Sequence, residues 1–128
     1  MPLNTNINSV QDYDDVISVV GGYVNGLKNG NVAELRKTFH DNAVMYGFTS
    51  EKLLGGSIDN LYTYVEAYGK AENIKTRLDV LHMTPTTAVV RVEMENDAAG
   101  GNFTDYHSLI KIDGKWKVVA KLFHLHEK

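Results

Sequence analysis

Three side chains suited to acid–base work lie close together near the end of the chain: Asp105, His107 and His124. A carboxylate beside an imidazole fixes its tautomer and makes it a better base, as a dehydratase or isomerase would require. Whether the three can meet depends on Asp113-Gly114, the strongest turn signal in the sequence, which specifies a two-residue type I′ hairpin. Counting outward from that turn pairs Ile112 with Lys115, Lys111 with Trp116, Leu109 with Val118, His107 with Ala120 and Asp105 with Leu122. One face of the hairpin then carries Asp105, His107, Leu109, Trp116, Val118, Ala120, Leu122 and His124, a composition suited to the wall of a pocket. The other carries Tyr106, Ser108, Ile110, Val119 and Lys121 and has the mixed character of a dimer face. Asp105 sits two residues from His107 and diagonal to His124, at roughly 6–8 Å. A longer turn with a bulged residue would invert the alternation on one strand and turn these polar groups outward. The competing structural reading is that the acid and the histidines only satisfy one another at the rim of a sheet.

Other residues extend this candidate site. Tyr46, Tyr62 and Tyr68 fall on segments expected to face a hollow, and each joins an apolar ring to a hydroxyl; they serve equally well as core. His40, at a helix end, suits the dipole there and alternatively faces the pocket rim. Trp116 is expected to be buried, anchoring the hairpin against the helices. His124-x-His126 invites a metal reading, but His107 pairs too far away for ligand distances of about 2 Å, so no metal site is expected. Gly21-Gly22 and Gly55-Gly56 lack the spacing of a phosphate loop. Ser108 has no nucleophile-elbow surroundings. No cofactor is implied.

The composition narrows the partners. A chain of 128 residues with 43% apolar and 23% charged residues is the size and make-up of one globular domain. Its formal charge of −3 offers no basic face for nucleic acid, and no apolar run is long enough for a membrane. The lack of cysteine removes disulfides, thiolate nucleophiles and cysteine-ligated metal, and fits a cytoplasmic location. Residues 1–11 read as a flexible polar tail without the features of a signal peptide, ahead of a single domain over 12–126.

The elements that must position these groups follow from periodicity. Tyr13 to Lys28 carries Val16, Ile17, Val20, Tyr23, Val24 and Leu27 at helical spacing, with Gly21-Gly22 suggesting a close backbone approach or a kink. A short helix over Val32 to Thr38 precedes a strand from Ala43 to Phe48. Gly55-Gly56-Ser57 reads as a loop, and a third helix runs from Ile58 to Tyr68. Beyond Gly69 the apolar period drops to two, giving four strands in a meander over 75–83, 88–95, 103–112 and 115–124.

Two stretches carry a resemblance. Tyr23-Val24-Asn25-Gly26-Leu27 with Phe39-His40 and Ala43-Val44-Met45-Tyr46-Gly47, and more sharply Phe103-Thr104-Asp105-Tyr106 with Ile112-Asp113-Gly114-Lys115-Trp116-Lys117-Val118-Val119, Lys121 and Phe123, are similar to the nuclear transport factor 2-like superfamily, in its lumazine-binding and SnoaL-like (polyketide cyclase-like) branch. The resemblance covers residues 12–124. It implies an α+β fold: a cone-shaped, curved antiparallel sheet with three helices in its concave face, in the order α-α-β-α-β-β-β-β. It also implies a homodimer formed through the convex face. Three functions fit: a small-molecule-binding domain with a mostly apolar, tyrosine-lined pocket, a cofactor-independent lyase or isomerase using an Asp–His pair, and a protein-interaction module.

Overall fold

A computed structural model describes residues 8–127. Helix α1, Val10–Asn29, opens where the Ser9 hydroxyl accepts the Asp12 amide at 3.0 Å and closes at Gly30, whose φ of 62° is the left-handed cap. It begins before the expected Tyr13, so part of the expected tail is helical; residues 1–7 of that tail lie outside the described residues. Val16, Val20, Tyr23 and Leu27 form its buried stripe. The closest approach falls at Gly26, and of the expected pair only Gly22 has a tight neighbour, Thr38 Oγ1, which a Cβ would meet at 3.0 Å. A Cβ on Gly26 would sit 2.6 Å from the Leu35 side chain of the second helix, whereas one on Gly21 would meet nothing within 4 Å.

Helix α2, Val32–Thr38, is capped by the Asn31 side chain and runs directly into strand β1, Phe39–Thr49. Strand β2, Lys52–Ser57, occupies the segment expected to be a loop. Its glycines suggest a turn, but Gly55 is needed in a strand, because a Cβ there would overlap the Tyr46 ring on β1. Helix α3, Asp59–Tyr68, buries Leu61, Tyr62 and Val65. Strands β3 (Lys75–Met83), β4 (Thr87–Glu95), β5 (Phe103–Ile112) and β6 (Lys115–Leu125) complete the chain.

The fold is α+β: three helices and a curved, unclosed sheet of six strands in the order β2-β1-β6-β5-β4-β3. The expected five-stranded antiparallel sheet is corrected in two respects. There is a sixth strand, and β6 lies parallel to β1, making the sheet mixed. The core sits between the helices and the concave face, where Val90, Val92, Leu109, Trp116 and Val118 meet α1.

The Asp113-Gly114 turn forms as expected, with φ of 50° and 79°, and Ile112 pairs with Lys115. The register holds through Leu109↔Val118 and then slips by one residue, so that Ser108 faces Ala120, His107 faces Lys121 and Asp105 faces Phe123. Val119 is the extra residue, a β-bulge in the middle of β6. Past it the alternation on β6 inverts. Lys121 and Phe123 turn inward and are buried, while Leu122 and His124 turn outward and are exposed. The expected placements of Ala120, Leu122 and His124 on the concave face, and of Lys121 on the outer one, are therefore wrong. The bulge leaves β5 untouched, and Asp105, His107 and Leu109 face inward.

Candidate functional site

Between α1, α3 and the concave sheet lies a cavity of about 80 Å³. One water needs roughly 10–15 Å³ on the same measure, so there is room for several waters or a compact organic molecule. Its walls are mostly apolar, with Leu27, Met45, Leu61, Val65, Met94 and Phe123 prominent, and with Tyr64, Asp97 and Ala98 also among its lining. Gly47 on β1 lets Phe123 pack closely against that strand, because a Cβ there would lie 2.5 Å from the Phe123 ring and 2.4 Å from its carbonyl oxygen.

Tyr23 and Lys121 bring polar groups to this lining, and both belong to a buried cluster behind it. Asp105 Oδ2 accepts the Tyr23 hydroxyl at 2.7 Å, lies 3.3 Å from His107 Nε2 and 3.8 Å from Lys121 Nζ. Asp105 and His107 are wholly inaccessible, and Lys121 is only 5% exposed. The His107 ring packs 4.6 Å from the Tyr23 ring and 5.9 Å from Phe39. Asp105 Oδ1 and His107 Nδ1 have no protein partner. Lys121 Nζ also sits 4.5 Å from the centre of the Phe123 ring.

The electrostatics follow from these contacts. Burial opposes a charge on Asp105, but Lys121, His107 and the Tyr23 hydroxyl together hold its carboxyl below the usual 3.8. Burial pushes the Lys121 ammonium below the usual 10.5, against the opposing pull of Asp105 and then Asp97. Burial likewise lowers His107 from 6.5, only partly offset by Asp105. Tyr23 is pushed well above 10 by burial and by the neighbouring carboxylate, so it remains a proton donor. The cluster is thus a carboxylate holding a phenol, a neutral imidazole and an amine that parts with its proton more readily than an exposed lysine.

His107 gives a direct check. Its native pKa lies below its unfolded 6.5, so between the two values the unfolded chain binds more protons. The stability it contributes is complete above 6.5 and is lost as pH falls through the lower, native value. Its ring resonances in NMR are expected to keep neutral-imidazole positions through pH 6.5. A midpoint at 6.5 or higher would contradict the burial.

The other sequence candidates lie elsewhere. Tyr46 is 43% exposed on the outer face and Tyr68 is 57% exposed, with its ring 4.7 Å from Tyr64. Tyr62 is core, with Arg36 over its ring at 4.3 Å. His40 accepts the Asn42 amide at the start of β1, and Trp116 is buried beside the hairpin. None of these five lines the cavity. His124 meets His126 edge to face, with ring centres 4.8 Å apart, at the exposed end of β6, and His126 pairs with Thr104 Oγ1. Among the described residues no group of three or more His, Cys, Asp or Glu could hold a metal ion. No helix among them is long and apolar enough to cross a membrane.

Sequence reasoning missed Tyr23 and Lys121 as site residues. Tyr23 is 82 residues from its partner Asp105 and reads only as one more stripe residue of α1. Lys121 is displaced to the inner face by a bulge that no turn signal announces.

Three helices against a curved, unclosed sheet of six strands form the nuclear transport factor 2-like arrangement. The chain belongs to that superfamily and, within it, to the family described as "Putative lumazine-binding", whose pattern it matches over residues 11–124. Two crystal structures of NTF2-like proteins of unknown function are similar. One, from Methylobacillus flagellatus KT, shares 35% identity with a TM-score of 0.91, covering 96% of this chain and 98% of that one. The other, from Shewanella baltica OS155, shares 30% identity with a TM-score of 0.83, covering 96% of this chain and 100% of that one. A Cladobotryum protein named Aldolase FrzH is 37% identical over 117 residues, covering 91% of this chain and 94% of the relative.

Proposed function

We propose that the hollow binds a small, largely apolar carbonyl compound and that the protein is a lyase of the aldol type, working through its own side chains. The observation that carries this reading is the buried Tyr23–Asp105–His107–Lys121 cluster, with Tyr23 and Lys121 lining the cavity. Aldol chemistry begins by removing a proton α to a carbonyl, and it needs a base together with a positive or hydrogen-bonding group for the developing oxyanion. Asp105 with Tyr23 provides the first, and Lys121 the second. The relative named as an aldolase supports the same reaction class. Burying an amine and a carboxylate in so apolar a place costs several kcal/mol each, and a catalytic role accounts for that cost.

The first half of the reaction can be measured without the natural substrate. Cyclohexanone in D₂O is expected to exchange its α-protons at least about 100-fold faster with the protein than without it, the low end for a positioned base. Asp105→Asn should abolish the gain. No acceleration over an equal concentration of free lysine would remove the carbonyl reading.

The proposal includes a cytoplasmic homodimer joined through the outer face of the sheet. Tyr46, Leu122 and Tyr106 stand side by side there on β1, β6 and β5, and all three are exposed. Light scattering after size exclusion is expected to give twice the chain's 14.3 kDa at micromolar concentration. A mass near 14.3 kDa would end that part of the proposal.

A further inference from the structure

Lys121 stands apart from the other lysines of the described residues, which are exposed or half-buried. Its side chain is 6% exposed, it lines the cavity, and its one close anionic partner is Asp105 Oδ2 at 3.8 Å, beyond an ordinary hydrogen bond. The ring of Phe123 covers the amine on another side. A lysine held this way is unusual, because a buried ammonium left without a tight partner is costly. An amine kept in an apolar wall and facing the space where a ligand sits is suited to nucleophilic attack.

We infer that Lys121 captures the carbonyl substrate covalently, as an imine, rather than serving only as a fixed positive charge. This rests on the carbonyl reading above. In the first step the Nζ lone pair forms a bond to the carbonyl carbon, and the carbonyl π pair moves to oxygen. One N–H proton is transferred to that oxygen, giving a carbinolamine. The hydroxyl then leaves with a second proton as water, and the C=N bond forms. The neutral imine becomes an enamine when its α-proton leaves carbon and a proton returns to nitrogen. Tyr23 oxygen accepts the α-proton as its own hydroxyl proton passes to Asp105 Oδ2 along the existing 2.7 Å hydrogen bond, and Asp105 Oδ2 hands its proton on to Nζ, 3.8 Å away. The enamine carbon attacks an aldehyde, and water releases the product and restores Lys121. Burial favours the neutral amine that the first step needs, while Asp105 at 3.8 Å and the more distant Asp97 oppose it. His107 reaches the amine only through Asp105, and Tyr23 is held protonated.

The test is reductive trapping. The protein is incubated with cyclohexanone and sodium cyanoborohydride at pH 7, then mapped by peptide mass spectrometry. One cyclohexyl group is expected on Lys121, favoured about tenfold or more over any other lysine, because the hollow holds the ketone beside it. Lys121→Arg keeps a cation beside Asp105 but cannot form an imine, so it should lose both the adduct and the α-proton exchange. An unmodified Lys121, or full exchange in Lys121→Arg, overturns the covalent route. Exchange by the wild-type protein without an adduct would leave the carbonyl reading standing and remove only this inference. An adduct without exchange would leave the covalent capture standing and remove the proton-abstraction step of the aldol reading.

Discussion

Asp105→Ala is expected to destabilise the protein by about 3–5 kcal/mol, the range for removing one partner of a buried ion pair. The carboxylate is wholly buried and is the common partner of Tyr23, His107 and Lys121. Without it, Lys121 is left as a buried charge and two hydrogen-bonding groups lose their acceptor. The companion measurement is the double variant Asp105→Ala with Lys121→Met. Removing the orphaned amine as well should recover about 1–3 kcal/mol, the usual size of coupling between contacting residues. Urea unfolding of the two single variants and the double reads this directly. Strictly additive losses would mean that Asp105 and Lys121 do not interact. The acid dependence has the same origin. Asp105's native pKa is below its unfolded 3.8, so its stabilisation is complete above 3.8 and is lost as pH falls through the native value.

Trp116→Ala should cost a similar amount, about 3–5 kcal/mol, through loss of a buried aromatic and the cavity left behind. Trp116 is 3% exposed and lies one residue past the start of β6, where its ring closes the hairpin end of the core. Lys111, its partner across the hairpin, stands 5.9 Å above that ring and pairs with Asp12 on α1 at 3.0 Å. The hairpin is thereby tied to the first helix. A loss below about 1 kcal/mol in urea unfolding would place Trp116 outside the core. The two variants also separate two roles. Trp116 is not part of the cavity lining, so whatever fraction of Trp116→Ala remains folded should retain α-proton exchange, whereas Asp105→Ala should not.

These consequences show what the sequence conveys and what it hides. Asp113-Gly114 and the alternation of Asp105, His107 and Leu109 are local signals, and they put these three residues on the inner face, where the structure has them. Most of the α1 stripe is equally legible, because a 3.6-residue period survives whatever packs against it, though Ile17, counted with it, is exposed and Val24 only half-buried. The bulge at Val119 is not local in this sense. It reverses Lys121, Phe123 and His124 together, and only the fit of β6 between β1 and β5 decides it. The parallel pairing of β1 with β6 joins Tyr46 to Leu122 across most of the chain, and no periodicity encodes such a partner. Strand β2 is obscured by Gly55 and Gly56, which read as a loop when the Tyr46 ring is not yet in place. The tyrosines illustrate the same limit. A hydroxyl on an apolar ring suits a pocket wall, a core or an exposed face alike, and the pocket positions went to Tyr23 and Tyr64 instead of Tyr46, Tyr62 and Tyr68.

The central claim is that the chemistry takes place inside the hollow. The most direct test blocks the hollow and leaves the cluster untouched. Ala98 is a half-exposed residue of the loop between β4 and β5, on the cavity lining and outside the Tyr23–Asp105–His107–Lys121 contacts. In Ala98→Trp a large ring can fill the opening at little cost to the core. Exchange of the α-protons of cyclohexanone is measured beside thermal unfolding of the same sample. Exchange falling to the uncatalysed rate in a protein that still unfolds cooperatively is the result expected. Exchange continuing at the wild-type rate, with the ring in place, would put the reaction somewhere other than the hollow.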